Sequence, residues 1–543
     1  VAITDRSIVT AINSATGLTG SLFIGGRPER GESTSFQAVD PTTNAALETA
    51  FHEASTHQVS QAVSAAEGAF PEYSGLPATR RAEFLRAIAA ELINAGAPLL
   101  ERARAETGLP LARLEGERGR TVHQLQLLAN VLDEGSWVEA RIDTGNASRA
   151  PIPKPDLRRL LVPLGPVAVF AASNFPFAYS IAGGDTASAF AAGCTVVCKA
   201  HPAHPGTSEL TAVALVRAVQ RCGLPPGVFS MVHGWSHEVG IALVQHPRIQ
   251  AVGFTGSLRG GRAIFDTAAA RPEPIPVYAE MGSVNPVFLL PSAVRERSAH
   301  IVDGLANSMT QGVGQFCTNP GVVVGVRDEA FTKLTHALAE RIASTENGVM
   351  LYDGLFRNFA KAVRSAEDHG ASRLAQALPT DQPTRAQPTL LAVDAAQFIE
   401  RVELRQEMFG PASIVVTAEH TDDLERIAES MEGQLTASIH GTDEELVQNA
   451  RLVQLLQRKV GRLVFNGYPT GVEVGHAIVH GGPYPASTDG RTTAVGSAAI
   501  TRFARPVCFQ NFPEAALPEE LHNHNGRNIW RMVNGTFTKD DVQ

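Results

Sequence analysis

Apolar positions recur at helical spacing between residues 57 and 132, which predicts a mainly helical opening to the chain. Val59, Ala62, Val63, Ala66 and Phe70 fall on one face of a helix starting at His57, and Pro71 is expected to close it. A second helix follows Pro77-Ala78-Thr79 and turns Phe84, Leu85, Ile88, Ala89 and Leu92 inward. A third is expected at 97–107, stopped by Gly108 and Pro110, and a fourth at 111–132 through Leu125, Leu128 and Val131. Ahead of them, 19–50 reads as short strands broken at Gly25-Gly26 and Asp40-Pro41. Residues 141–159 are polar, carry Pro151, Pro153 and Pro155, and read as an extended arm.

The pattern then changes to short apolar runs alternating with helical periods. Strands are expected at 167–172, 195–199, 228–232 and 251–254, separated by helices at 182–192, 208–221 and 238–245, with further strands at 277–281 and 287–290. Such alternation predicts a parallel sheet covered on both faces and joined by right-handed crossovers. It resumes beyond residue 320, with strands at 321–326, 414–418 and 436–440. Helices are expected there at 329–343, 355–367, 421–432 and 443–456, and a surface loop at 379–388. The tail from Gly481 is rich in Gly, Ser, Thr and Pro, and no internal repeat is present. The fold class is therefore α/β.

At 543 residues the chain exceeds one ordinary core, so two or three domains are expected. A net charge of −9, with both signs interspersed, argues against a nucleic-acid partner. The five cysteines are scattered, and so odd and sparse a set fits a reducing, cytoplasmic setting. Cys194 and Cys198 have no second pair or histidine set beside them, so no metal is expected. The N-terminus, with Asp5 and Arg6, has no long apolar core and no secretory signal is read there. Residues 160–184 carry no charge, but Pro163, Pro166, Asn174 and Pro176 make them buried strands and a turn rather than a membrane span.

Against this background one uncharged loop stands out, 310–321, with Cys317 among Gly312, Gly314 and Gly321. A thiolate nucleophile needs such an approachable backbone setting, though a free cysteine is also commonly an inert buried hydrophobe. Four other stretches offer partners. Thr255-Gly256-Ser257 lies between a strand and a helix, where backbone N–H groups suit a pyrophosphate or simply make a tight turn. Lys199 ends a strand, facing either the ligand crevice of an open sheet or solvent. In Ser173-Asn174-Phe175-Pro176-Phe177, Asn174 sits in an apolar run, as an oxyanion donor or a turn former. Glu280 is a lone carboxylate among apolar neighbours, where burial would raise its pKa and make a base near neutrality, or where it would form a structural ion pair. Glu407 precedes Met408-Phe409-Gly410-Pro411 and reads as a ribose grip or a surface turn.

Taken together and in this order, Ser173-Asn174-Phe175-Pro176, Phe254-Thr255-Gly256-Ser257, Glu280-Met281-Gly282, Gln315-Phe316-Cys317 and Glu407-Met408-Phe409-Gly410-Pro411 resemble the aldehyde dehydrogenase superfamily over nearly the whole chain. The segments 314–321 and 201–208 are similar to the branch holding α-ketoglutarate semialdehyde dehydrogenases and NADP-dependent fatty aldehyde dehydrogenases. The resemblance implies a Rossmann-like cofactor domain (1–140 and 161–284), an α/β catalytic domain (285–480), and an oligomerisation arm and tail (141–160 and 481–543) of a homodimer or homotetramer.

It also implies roles. Cys317 attacks the aldehyde, Asn174 and the Cys317 N–H hold the oxyanion, and Glu280 activates the water that hydrolyses the thioester. A base at position 280 favours release of a free acid over transfer to coenzyme A. The cofactor-binding set is Lys199, Ser257, Gly256, Thr255, Glu407, Phe409, Ser173 and Pro202. Relatives that prefer NAD often carry a glutamate at the position of Pro202. Its absence here, with Lys199 and His201 or His204 adding positive charge, points to NADP, with NAD also possible, unless a distant residue supplies the acid.

Arg120, Gln124 and Phe177 are the candidate substrate contacts, Arg120 as a carboxylate anchor unless it only pairs with Glu117 on a solvated helix face. The alternatives are a fatty aldehyde dehydrogenase, an inactive binding member of the family, which intact Cys317, Asn174 and Glu280 argue against, and a cysteine hydrolase, for which no histidine is placed by motif.

Overall fold

The computed structural model describes residues 17–542. The reading of a leaderless N-terminus at Asp5 and Arg6 lies outside those residues. Two large sheets carry the site. The first has seven strands in the order Val277–Glu280, Ala251–Thr255, Val167–Phe170, Val196–Lys199, Phe229–Val232, Ser21–Ile24 and Arg27–Arg30. The first five run parallel, Ser21–Ile24 pairs antiparallel with the fifth, and Arg27–Arg30 pairs antiparallel with Ser21–Ile24. From Val167–Phe170 the chain adds strands on one side, then returns to add Ala251–Thr255 on the other. Their carboxyl ends therefore diverge into the kind of crevice where open α/β sheets hold ligands. Ser173 and Thr255-Gly256-Ser257 border it.

The helices Thr56–Ser74, Ala78–Asn94 and Leu111–Glu134 contribute to the cores around this sheet through Val59, Ala66, Phe84, Leu85, Ile88, Leu125 and Leu128. Pro71 does not end the first of them. It lies in the last turn, which continues to Ser74 and closes with Gly75 N–H donating to the Pro71 carbonyl. A proline that near the C-terminus costs one intrahelical bond and leaves the turn otherwise intact.

The second sheet has seven strands, Ser372–Gln376, Thr389–Asp394, Ala412–Ala418, Val322–Val326, Val287–Leu289, Gln434–His440 and Val460–Phe465, all parallel except the first. Its helix Pro291–Thr310 has no counterpart in the sequence reading. Non-helical φ/ψ at Arg297 kinks it, and the Arg295-Glu296-Arg297 run dilutes its apolar period. The helix expected at 443–456 is two, Asp443–Gln448 and Ala450–Gln457. They part at Asn449, whose side chain donates to the Glu445 carbonyl at 2.8 Å and competes with the helical ladder.

The arm forms a third, five-stranded sheet, Ala504–Gln510, Leu157–Pro163, Arg141–Asp143, Arg531–Val533 and Thr536–Thr538. The tail beyond 510 thus folds back onto the arm. Arg158 of the arm pins it there by donating to the Leu521 carbonyl and to Asn523 Oδ1 at 2.6 and 2.8 Å, and fully buried Arg531 braces the tail itself through the Asn523 and Asp540 carbonyls at 3.2 and 3.0 Å. Among the described residues no helix is long and apolar enough to cross a membrane.

Candidate active site

The site lies where the carboxyl ends of the first sheet meet the amino ends of the second. Glu280 is the last residue of Val277–Glu280, and Cys317 sits five residues before Val322–Val326. The Cys317 loop is strained into place. Gly312, Val313 and Gly314 all have positive φ (56°, 60° and 63°), which is a genuine outlier for a β-branched valine. Asn285 holds the loop from below, its side-chain amide donating to the carbonyls of Cys317 and Asn319 at 2.8 and 2.9 Å. Gln315 accepts from Leu351 N–H at 3.0 Å.

The Asn174 loop faces this one and is fixed by a helix residue pair. Glu117 Oε1 accepts from the backbone N–H groups of Phe177 and Ala178 at 2.8 and 3.0 Å. Arg113 pairs with Glu117 at 2.7 Å, donates to the Asn174 carbonyl at 3.1 Å, and stacks over Phe175 and Phe316. Asn174 Nδ2 consequently points at the nucleophile loop and donates to the Gln315 carbonyl at 3.1 Å. An amide –NH₂ has two donors, so one stays available to a substrate oxygen.

Sequence reasoning missed His480. It lies in the loop after Val460–Phe465, with its Nε2 3.6 Å from Cys317 Sγ and 3.0 Å from Glu280 Oε2. A histidine therefore stands beside Cys317 although no motif places one there. The only trace in the sequence is a polar residue after Ala477-Ile478-Val479 and before Gly481-Gly482, since contact across 163 positions leaves no spacing motif.

His480 also reverses the expected direction for Glu280. Burial alone would raise this carboxyl. The charge and hydrogen bonding of His480, with the Cys317 thiol and Arg502, outweigh it and hold the pKa below the usual carboxylate range. Neither Glu280 oxygen has a well-aligned hydrogen bond despite the 3.0 Å approach of His480, so the carboxylate can still accept a proton. Burial and the Glu280 charge push the Cys317 thiol well above its ordinary value. A thiol so disfavoured as thiolate needs a base at hand, and two adjoin it.

Arg120 is not paired with Glu117, which Arg113 occupies. It reaches the Cys317 side instead, where Nη2 donates to Tyr179 Oη at 3.2 Å, Nε to the Val472 carbonyl at 3.4 Å, and the guanidinium lies 5.3 Å from the Tyr179 ring centre. Its Nη1 has no hydrogen-bond partner among the described residues. Gln124 exchanges both of its amide groups with Gly496 N–H and C=O, at 3.0 and 3.2 Å, which places it behind the site. Phe177 is fully buried in a cluster with Leu99, Leu100 and Leu114. Both are supports, and the ring that lines the loop interface is Phe175, edge-on to Phe316 and Tyr179.

Around the crevice, Lys199 Nζ donates to the Gly234 carbonyl at 2.6 Å, and burial lowers its pKa to about 8. The next turn of that segment is held by Glu53, a buried carboxylate accepting from Ser236 N–H. Thus an acid distant in sequence does stand near Lys199. The expected charge on His201 does not. Burial keeps His201 well below its usual pKa, and buried His204 is committed to the Ala172 carbonyl at 2.8 Å. Pro202 is half-buried beside them. Ser257 caps the helix Leu258–Ala269, accepting from Gly260 N–H at 3.2 Å, and Gly256 N–H donates to the Glu280 carbonyl at 3.0 Å. Burial raises Glu407 to about 8, and a Cβ on Gly282 would come within 2.8 Å of its carboxylate. Phe409 borders a cavity with Glu407 and Ser283.

A sequence profile of the aldehyde dehydrogenase family matches residues 29–505. The chain is 46% identical over 522 residues to alpha-ketoglutaric semialdehyde dehydrogenase 2 of Azospirillum brasilense, covering 95% of this chain and 99% of that protein. It is 43% identical over 523 residues to alpha-ketoglutaric semialdehyde dehydrogenase of Acinetobacter baylyi, covering 96% and 99%. Its fold is similar to that of betaine aldehyde dehydrogenase from Staphylococcus aureus in complex with NAD+, with a TM-score of 0.79 at 20% identity over 93% of this chain and 97% of that one.

Proposed function

The chain belongs to the aldehyde dehydrogenase family and is an oxidoreductase acting on aldehydes; from that premise we propose that it oxidises α-ketoglutaric semialdehyde to α-ketoglutarate. The observation that carries this reading is Arg120, a desolvated guanidinium beside Cys317 with one donor unspent. A short substrate with an aldehyde at one end and a carboxylate at the other satisfies both groups at once. A fatty aldehyde would leave the desolvated guanidinium without a counter-charge, which is costly.

The proposed chemistry assigns each side chain one task. Glu280 or His480 takes the Cys317 proton, and Sγ adds to the aldehyde carbon. The free Asn174 amide hydrogen and the Cys317 N–H bind the oxygen as it becomes negative. The family uses NAD(P), which when bound accepts the hydride that leaves this carbon. Lys199, Ser257, Gly256, Thr255 and Glu407 are the residues that would hold it, with Ser173, Pro202 and Phe409 at its edges. The crevice fits such a group, because a helix N-terminus at Ser257 and the strand-end Lys199 lie at the carboxyl ends of the parallel strands, and Ile241 and Leu258 on the flanking helices are left exposed. Glu280 then takes a proton from the water that attacks the thioester, and the acid departs. We read 1–140 and 161–284 as the cofactor unit, 285–480 as the catalytic unit, and 141–160 with 481–543 as the arm. The exposed edge strands Ala504–Gln510 and Val460–Phe465 are suited to pairing between copies in a homodimer or homotetramer.

The test is a comparison of kcat/KM for α-ketoglutaric semialdehyde and for an unbranched aliphatic aldehyde of equal length, in the wild type and in Arg120→Leu. A charge-assisted hydrogen bond contributes about 1.5–3 kcal/mol, so the variant should lose roughly 10- to 100-fold on the acidic substrate and little on the neutral one. Equal losses on both would remove Arg120 as the anchor, and a wild type that prefers the aliphatic aldehyde would overturn the substrate assignment.

For the cofactor we infer that NADP is used at least as well as NAD. No carboxylate stands at Pro202, and Glu53 is engaged by Ser236 N–H, while a 2′-phosphate would favour the charged form of Lys199. The ratio of kcat/KM values for the two dinucleotides decides this, and a clear preference for NAD would identify Glu53 as the acid that reads the ribose.

A further inference from the structure

The side chains that serve catalysis also form a ligand set that no sequence spacing announces. Cys317 Sγ, His480 Nε2 and a Glu280 carboxylate oxygen all lie within 4.8 Å of one another. They come from three separate segments, a strand end, the loop before Val322–Val326 and the loop after Val460–Phe465. We propose that this triad is a reversible inhibitory site for a thiophilic divalent cation, Zn²⁺ in particular.

The geometry suits tetrahedral zinc. Bonds of about 2.3 Å to sulfur and about 2.0–2.2 Å to nitrogen and oxygen put the sulfur and nitrogen donors roughly 3.6 Å apart, and the nitrogen and oxygen donors roughly 3.3 Å apart. The observed separations are 3.6 Å for Sγ to Nε2 and 3.0 Å for Nε2 to Oε2, and Sγ and the carboxylate lie within 4.8 Å, so two of the three donor spacings are already close to those the ion needs. Charge also balances. One thiolate and one carboxylate cancel the two positive charges and the imidazole is neutral, so the buried cluster carries no net charge, which avoids the cost of an isolated buried ion. Three protein ligands leave the fourth position for water. Binding releases the thiol proton, Cys317–SH + Zn²⁺ giving Cys317–S–Zn⁺ + H⁺, with no change of oxidation state. The sulfur lone pair that would attack the aldehyde is then occupied, and so is the base.

The inference depends on side-chain positions and not on which aldehyde is oxidised, so the metal titration needs no substrate. The purified full-length enzyme, reduced and then freed of reductant under inert gas, is titrated with Co²⁺ as a spectroscopic stand-in and then with Zn²⁺. The expected result is one Co²⁺ per chain with a sulfur-to-cobalt charge-transfer band and the strong visible bands of four-coordinate cobalt, displaced by Zn²⁺. Cys317→Ser should abolish the charge-transfer band, and His480→Gln should weaken binding by about tenfold or more. In parallel, aldehyde oxidation by the wild type should fall with Zn²⁺ and return on adding a chelator. Dinucleotide binding checks that each variant is folded, and the wild-type cobalt spectrum decides alone if one is not. An absent charge-transfer band, an undiminished one in Cys317→Ser, unchanged affinity in His480→Gln, or a loss of activity that chelation does not reverse would each overturn the proposal.

Discussion

Cys317→Ala should abolish aldehyde oxidation, with turnover down by on the order of 10⁴ to 10⁶, the scale seen when a covalent nucleophile is removed. No other cysteine can substitute. Cys194 and Cys198 are fully buried in the core of the first sheet, their pKa values pushed to about 11 and about 12, and Cys222 and Cys508 lie on other surfaces. The loop itself is held by backbone contacts, from Asn285 to the carbonyls of Cys317 and Asn319, and these do not involve the thiol. The variant should therefore fold and bind dinucleotide with nearly unchanged affinity. Steady-state rates and cofactor titration measure the two halves of the prediction. Turnover within a few-fold of wild type would remove Cys317 from the chemistry, whereas joint loss of turnover and cofactor binding would point to collapse of the loop.

Glu280→Gln should separate the two half-reactions. Attack and hydride loss need a thiolate and an oxyanion donor, and His480 at 3.6 Å remains to take the thiol proton. Deacylation needs a base for water, which the amide cannot supply. General-base assistance is worth about 10² to 10⁴-fold, so steady turnover should fall by that order after a near-stoichiometric first burst of reduced cofactor. Rapid mixing followed at the reduced-nicotinamide absorbance reads both phases. A slowed burst would mean that Glu280, and not His480, chiefly deprotonates Cys317. Unchanged steady turnover would free Glu280 of any role and move attention to Glu407, a half-buried carboxylate beside Gly282.

The parts of this site that could be read from the sequence are those a strand or turn places by itself. The runs 167–172, 195–199 and 251–254 are buried on both faces, so their apolar character marked the parallel sheet, and their ends marked Lys199 and Thr255-Gly256-Ser257. Glu280 could be located for the same reason. Its electrostatics could not, because the direction of its pKa depends on His480, delivered by a loop that no local pattern defines. Arg120 was visible as a charge on a mainly buried helix, but whether it pairs with Glu117 or faces the site was left open. Spacing alone offers Glu117, and only the packing shows that Arg113, nearer the Asn174 loop, takes that carboxylate. Gln124 and Phe177 show the converse limit. Their positions beside the right motifs were legible, while their side-chain directions, toward Gly496 and toward a leucine cluster, were not. The helix Pro291–Thr310 was hidden by its own kink.

The central claim is that an acidic semialdehyde becomes a thioester on Cys317 which Glu280 then clears. Intact-protein and peptide mass analysis of Glu280→Gln, quenched just after its burst with α-ketoglutaric semialdehyde and cofactor, tests this most directly. The account predicts a mass gain equal to the substrate's acyl group, on the peptide bearing Cys317, in nearly every chain. An unmodified Cys317 at a time when reduced cofactor has already been released, or the adduct on another residue, would contradict it.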